Sequence, residues 1–452
     1  YFESYFNAID EVGRLNLTKD LSNGVSIKIS ALHPRYEMRK LDELESKLFP
    51  KLAELVNYAY SKDVEITIDA EEQDRLSLSF HIIKKLAFEK KIKDWSGFGI
   101  ALQAYGKRAL RAVDWLNKIV EKRAGMHLRL VKGAYWDYEI KHSQVYGYEG
   151  YPVFSKKSIT DIFYLACAKE ILKNKKLFAK FATHNAHTIS SIQYLGEGSD
   201  YEFQRLYGMG ELLYQSASEA LELSLKPSIY APIGSHKDLL PYLVRRLLEN
   251  GANSSFINRL LDPETDSAWL AENPYERLKK ETKDIPVPKK IFFDRENSSG
   301  KDISEIENLE DLKSKIDNLS GLKVDAESIY SGRIDTNNTE EKAFSISNRC
   351  EIGTITLDDP IQIKKALEKD TTNEWKEIEV NERAKILNLI ADDLENNPYE
   401  LIYFLINEAG KTIQNAIDEI REAVDFLRYY SSRSIELFNN TELMVQLVKI
   451  IK

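Results

Sequence analysis

Seven short β-branched runs, separated by longer amphipathic stretches, constrain this chain most. They are GVSIKIS (24–30), VEITIDA (64–70), FGIALQAY (98–105), MHLRLVKGAY (126–135), FAKFATHN (178–185), YEFQRLYG (201–208) and PSIYAPIG (227–234). Strand patterns alternating with helical ones are the mark of βα units around a parallel sheet. The expectation is an α/β fold, a TIM-like (βα)₈ barrel. Such a barrel needs eight strands, and a helix at residues 1–14 precedes the first run. The first strand is therefore expected to lie upstream of Tyr1, and the chain, which does not begin with Met, to be a fragment.

In such a barrel the chemistry sits at the C-terminal ends of the strands. Those ends supply Lys28, Asp69, Gln103, Arg129, Lys132, His184, Asn185, Gln204 and Tyr230.

Composition divides the 452 residues into three regions. Residues 1–285 hold the βα pattern. Residues 286–342 are polar and charged and read as a linker with some local helix. From 343 the run CEIGTITL reads as a strand, followed by helices at 360–369, 381–397 and 413–437, too little for a whole domain.

A net charge of −9, with lysines interspersed among glutamates, carries no electrostatic footprint for nucleic acid. No apolar run reaches the roughly 20 residues that span a bilayer, and the first ten lack a signal-peptide layout. The expected location is cytoplasmic. Cys167 and Cys350 are far apart and read as ordinary small residues.

The stretch LPYLVRRLLENGANSSF (240–256) sets adjacent Arg245 and Arg246 in an apolar helical run. Adjacent helical residues point about 100° apart, so the pair can reach one anion from two sides or salt-bridge on a surface. Glu249 lies four residues after Arg245 and can pair with it. With Lys28 and Arg129 on the same barrel rim, the arginines demand carboxylate or phosphate, because unpaired buried charge is strongly disfavoured. Asp69 and Glu249 answer part of that demand, and the remainder points to an anionic ligand or cofactor.

RLVKGAYWD (129–137) flanks Gly133 with Arg129 and Lys132, and its Tyr135 and Trp136 suit a flat cofactor. His184 and His187 lack a third metal ligand and read as hydrogen-bonding histidines, with no metal site. GMGELL (208–213) lacks the third glycine of a dinucleotide fingerprint.

These ordered motifs, with SIKISALHPRYE, IDAEEQDRL, LQAYGKRA, FATHNAHT, EFQRLYGMGE and IYAPIGSHKDLLPYLVRRLLENGANSSFINRL, resemble the proline dehydrogenase domain of the bifunctional bacterial flavoenzymes of proline utilization. The resemblance implies a proline-dehydrogenase-type barrel holding noncovalent FAD and oxidising L-proline to Δ1-pyrroline-5-carboxylate. It implies that Lys28, Arg245 and Arg246 bind the proline carboxylate, that Tyr230, Tyr135 and Leu130 pack its ring with Tyr242 near, and that Asp69 orients them. For FAD it points to Gln103, Arg129, Val131, Lys132, Gly133, Ala134, Trp136, Thr183, His184, Asn185, Gln204, Glu249 and Phe256.

The tail, with EAGKT at 408–412, resembles the N-terminal helices of the aldehyde dehydrogenase partner domain. The catalytic cysteine and NAD unit of that partner lie beyond the chain. The resemblance further implies a membrane quinone as electron acceptor, peripheral contact with the membrane, and a homo-oligomer of the full-length protein. Two competing expectations are a catalytically silent fragment with an incomplete barrel and a flavin-dependent reductase of folate chemistry gripping a different acid.

Overall fold

The computed structural model describes residues 1–19, 23–235, 237, 239–240, 242–244, 272–282, 284–330, 333–334, 339–368, 375 and 377–439. The chain divides into two units, 1–140 with 151–285, and 141–150 with 286–452.

The first unit opens on helix α1 (Phe2–Lys19) and then carries seven strands: β1 (Gly24–Ile27), β2 (Glu65–Ile68), β3 (Phe98–Gln103), β4 (Met126–Val131), β5 (Leu177–Ala182), β6 (Tyr201–Leu206) and β7 (Ser228–Tyr230). All neighbours pair in parallel, in chain order. In a flat sheet β2 and β7 would lie about 24 Å apart, five spacings of about 4.8 Å. Yet the Tyr230 hydroxyl at the end of β7 is 3.1 Å from the Asp69 carboxylate just past β2. The sheet therefore curls on itself as a TIM-like barrel. No strand of the described residues stands between β7 and β1, where the eighth would close it.

The helices between the strands follow from their patterning. Helix Ala109–Val120 buries Ala109, Ala112, Val113, Leu116, Ile119 and Val120, one stripe at helical spacing. The central strands β3 and β4 are buried on both faces, as parallel strands under helices must be.

Inside the barrel, Gly99 on β3 lies against β4, where a Cβ would meet the His127 ring at 2.1 Å and the His127 carbonyl oxygen at 2.3 Å. The absent side chain makes room for His127, whose ring bonds Thr67 at 2.8 Å. Burial, with Lys180 and Arg129 close by, holds that imidazole well below its ordinary value and therefore neutral.

The second unit has its own core of Ile303, Leu312, Ala391, Ile402, Ala416, Ile417, Ile420 and Val424. Leu312 belongs to helix Ile306–Asp317, within the stretch that composition reads as a linker. That stretch also supplies strand Val324–Ala326, parallel to Glu351–Leu357, which pairs antiparallel with Thr339–Phe344. Packing, rather than composition, thus makes 286–342 part of this unit. Arg428, 6% exposed, is gripped by Glu395 and Asp392, each at 2.9–3.0 Å.

Candidate active site

The polar residues of the strand ends meet over one end of the barrel. Arg129 on β4 projects into the interior. Its Nη1 donates to Ser26 Oγ at 2.9 Å and Asp69 Oδ1 at 3.0 Å, and its Nε to Gln204 Oε1 at 2.6 Å. One guanidinium thus spans β1, β2 and β6. Its carbon also lies 5.0 Å from the centre of the Tyr230 ring, a cation–π contact.

Asp69 accepts a second bond from Tyr230. Burial raises its carboxyl above the ordinary value, while Arg129 and Tyr230 pull it back down. Burial likewise lifts the Tyr230 phenol, with Asp69 adding to the rise and Tyr242 nearby contributing. Tyr230 therefore acts as a donor and not as a phenolate.

Lys28, just past β1, donates its backbone N–H to the Tyr5 hydroxyl of α1 at 3.0 Å. Its Nζ lies 6.0 Å from the centre of the Tyr135 ring and 3.6 Å from Glu71 Oε2. The partner of this lysine is Glu71, two residues past Asp69, which sequence reading passed over.

The loop after β4 is braced from beneath. Gln103 Oε1 accepts from Ala134 N at 3.1 Å while its Nε2 donates to the Glu71 carbonyl at 2.7 Å. Gly133 takes φ +141°, and a Cβ there would lie 2.5 Å from the Tyr105 ring. The close approach that glycine permits is to Tyr105 of the protein. Lys132 pairs with buried Asp161, which also faces Arg277 at 3.7 Å. Trp136 donates its indole N–H to the Phe154 carbonyl at 2.8 Å.

After β5, Asn185 caps helix Ala186–Leu195 by accepting from Thr188 N at 2.9 Å, and Thr183 Oγ1 accepts from Asn185 N at 3.2 Å. Leu206 N donates to His184 Nε2 at 3.1 Å, which leaves the ring proton of a neutral His184 on Nδ1. Among the described residues no cluster of acids, histidines or cysteines is arranged for a metal.

A model of the proline dehydrogenase family matches residues 1–259. The chain belongs to the proline dehydrogenase family. An aldehyde dehydrogenase family model matches residues 334–446. The bifunctional protein PutA of Escherichia coli K12 is 39% identical over 97% of this chain. A solved structure of Bradyrhizobium japonicum proline utilization A, the D779W mutant, superposes with a TM-score of 0.84 at 36% identity, over 97% of this chain and 43% of that one. A structure of proline utilization A with proline bound in remote sites gives 0.82 at 35% identity, over 97% and 42%. The chain spans 35% of the length of the Escherichia coli relative.

Among the residues expected of a proline dehydrogenase, Asp69, Arg129, Gln204 and Tyr230 are joined by direct contacts, and Lys28, which faces the Tyr135 ring, acts electrostatically on Asp69. Arg245, Arg246, Glu249 and Phe256 lie outside the described residues. Leu130, next to Arg129 in β4, is 0% exposed. Its carbonyl accepts from the buried Tyr164 hydroxyl at 3.2 Å.

No described helix of this chain is long and apolar enough to cross a membrane. Cys167 is buried, which pushes its thiol up to about 12 and makes it unreactive at neutral pH.

Proposed function

We propose that this chain carries the FAD-dependent oxidation of L-proline to Δ1-pyrroline-5-carboxylate. The observation that carries the reading is the convergence of Arg129, Asp69 and Tyr230 with Lys28 at one barrel end, in a chain of the proline dehydrogenase family.

The donor set fits a flavin. Arg129 and Lys132 supply positive charge, each held by a buried or half-buried carboxylate, and the backbone around Gly133 and Ala134, with Val131, Trp136, Thr183, His184 and Asn185, supplies hydrogen bonds and flat surface. Gln103 and Gln204 hold that set from within the barrel, and Glu249 and Phe256 are assigned to it from sequence. The cofactor supplies, when bound, a two-electron acceptor for the hydride leaving the ring carbon beside the proline nitrogen.

The protein's own part is position and charge. Lys28, Arg245 and Arg246 grip the substrate carboxylate, Tyr135, Tyr230 and Tyr242 enclose the ring, and Asp69 fixes Arg129 and Tyr230 together. The amine proton passes to solvent. The division proposed is a catalytic barrel over 1–285 and, after 343, the N-terminal part of an aldehyde dehydrogenase, a domain whose cofactor is NAD, with 286–342 between them. A membrane quinone as acceptor, with peripheral membrane contact from the cytoplasm and a homo-oligomeric parent protein, completes the proposal.

Purified protein is expected to be yellow and to bleach anaerobically on adding L-proline. Colourless protein that takes up no added FAD would instead indicate a catalytically silent chain. Arg246→Met should weaken L-proline binding by about 1.5–3 kcal/mol, the worth of one charged hydrogen bond.

A further inference from the structure

Glu71 stands out as a buried carboxylate that no part of the proposed chemistry uses. Its side chain is 1% exposed, at the end of β2 and two residues from Asp69. Burying an ionised carboxylate is costly unless its oxygens are answered, and each of these is. Oε1 accepts from Ser30 N at 2.9 Å. Oε2 accepts from Arg75 Nη1 at 2.7 Å and faces Lys28 Nζ at 3.6 Å. The Glu71 carbonyl takes the Gln103 amide at 2.7 Å, and Gln103 in turn holds Ala134.

Two features make this more than a structural ion pair. Glu71 grips both parts of one short segment, the backbone at Ser30 and the ammonium of Lys28, so the lysine head and the chain that carries it are held by the same group. The two cations are also held differently. Arg75 makes the short bond, whereas Lys28 stands just beyond hydrogen-bond length, and among the described residues its Nζ donates no hydrogen bond. The side chain of Lys28 is 41% exposed, so its three N–H groups remain available to a ligand while the charge behind them fixes their place. A lysine side chain is rich in rotamers, and an incoming anion must otherwise spend binding energy on ordering it.

We propose that Glu71 is a positioning residue for the substrate carboxylate, acting through Lys28. The inference rests on the functional reading above, in which Lys28 binds that carboxylate. Glu71 pre-orders the lysine before substrate arrives, so its loss weakens ground-state binding and transition-state binding alike. The signature is a raised KM with kcat nearly unchanged.

The test is a double-mutant cycle on the FAD-loaded protein with Glu71→Gln, Lys28→Met and the pair, reading KM and kcat for L-proline and the inhibition constant of tetrahydrofuroic acid, a carboxylate-bearing proline analogue. Glu71→Gln is expected to raise KM and the inhibition constant about tenfold and to move kcat less than about twofold. In the Lys28→Met background the same change should move KM less than about twofold, because nothing is left for Glu71 to position. Glu71→Asp keeps the charge on a shorter arm and should give an intermediate KM, and it replaces Glu71→Gln in the cycle if the latter does not fold.

An unchanged KM in Glu71→Gln, or an equal effect with and without Lys28, overturns this inference while leaving the functional reading intact. Wild-type protein that neither bleaches with L-proline nor binds the analogue overturns both.

Discussion

Tyr230 donates its hydroxyl to Asp69 at 3.1 Å across 161 residues of chain. The same carboxylate takes Arg129 from the opposite side at 3.0 Å. The last strand and the second are thereby tied to the fourth through one acid, so the site and the curl of the barrel depend on the same atoms.

Tyr230→Phe removes one donor from a partly buried acceptor and keeps the ring. The cost is expected to be about 1–3 kcal/mol, the penalty for a buried group left unsatisfied. Urea denaturation of the two proteins checks the stability loss, and kcat/KM for L-proline should fall with it.

Asp69→Ala leaves Arg129 without its carboxylate. Arg129 is 11% exposed at the side chain and Asp69 26%, so the pair keeps some solvent. A loss of about 3 kcal/mol is expected, the low end for breaking a buried pair. Asp69→Asn keeps the shape and an acceptor oxygen and should lose less in the same denaturation experiment.

Deeper in the barrel Lys180, 7% exposed at the side chain, meets Glu65 at 2.5 Å and Glu202 at 3.7 Å. Lys180→Met should destabilise by about 1–3 kcal/mol, because it leaves the partly buried carboxylates of Glu65 and Glu202 without their cation. Adding Glu65→Gln should recover part of that loss, and the pair should show a coupling of about 0.5–3 kcal/mol in a double-mutant cycle.

Glu139 supplies a pH signature. It is 2% exposed, and burial lifts its carboxyl from 4.5 up to about 7, with Asp74 and Glu72 adding to the rise and Gln73 N and Tyr105 opposing it. A folded-state value above the unfolded one means that the folded protein holds the proton more tightly. This contribution is fully present below pH 4.5 and is lost as pH climbs to about 7. At 1.36 kcal/mol for each unit, it amounts to about 3 kcal/mol. Denaturant midpoints measured across this range should fall for the native protein relative to Glu139→Gln, in which the group cannot ionise.

Gly99→Ala should be poorly tolerated, since the added carbon meets both ring and backbone of His127 within 2.4 Å. Overpacking of this kind costs about 1–3 kcal/mol, read as a lowered melting temperature. A second change that shrinks His127 relieves only the ring contact and should restore only part of it.

The positions of the strands were legible because β-branched runs between helical stripes leave few alternatives. Their C-terminal limits were not. VEITIDA, MHLRLVKGAY and FAKFATHN keep a strand-like composition past Ile68, Val131 and Ala182, where the ladder ends. Those overhanging residues, among them Asp69, Lys132 and His184, leave the sheet to bend over the barrel end. Within the stretch read as a linker with some local helix, helix Ile306–Asp317 was not legible as part of a core, for the opposite reason. Its apolar residues Leu309, Leu312 and Ile316 form one narrow stripe among charges, and only the core they enter makes them part of a unit.

Sequence by itself determined the βα repeat, the residue types gathered at the strand ends and the membership of the proline dehydrogenase family, because periodicity and motif order are local properties of the chain. Tertiary structure alone decided who pairs with whom: Arg129 with Asp69, and Lys28 with Glu71. Those choices follow from the curl of the sheet, which brings side chains more than 100 residues apart within hydrogen-bond reach, and from the pleat, which sends neighbours in a strand to opposite faces.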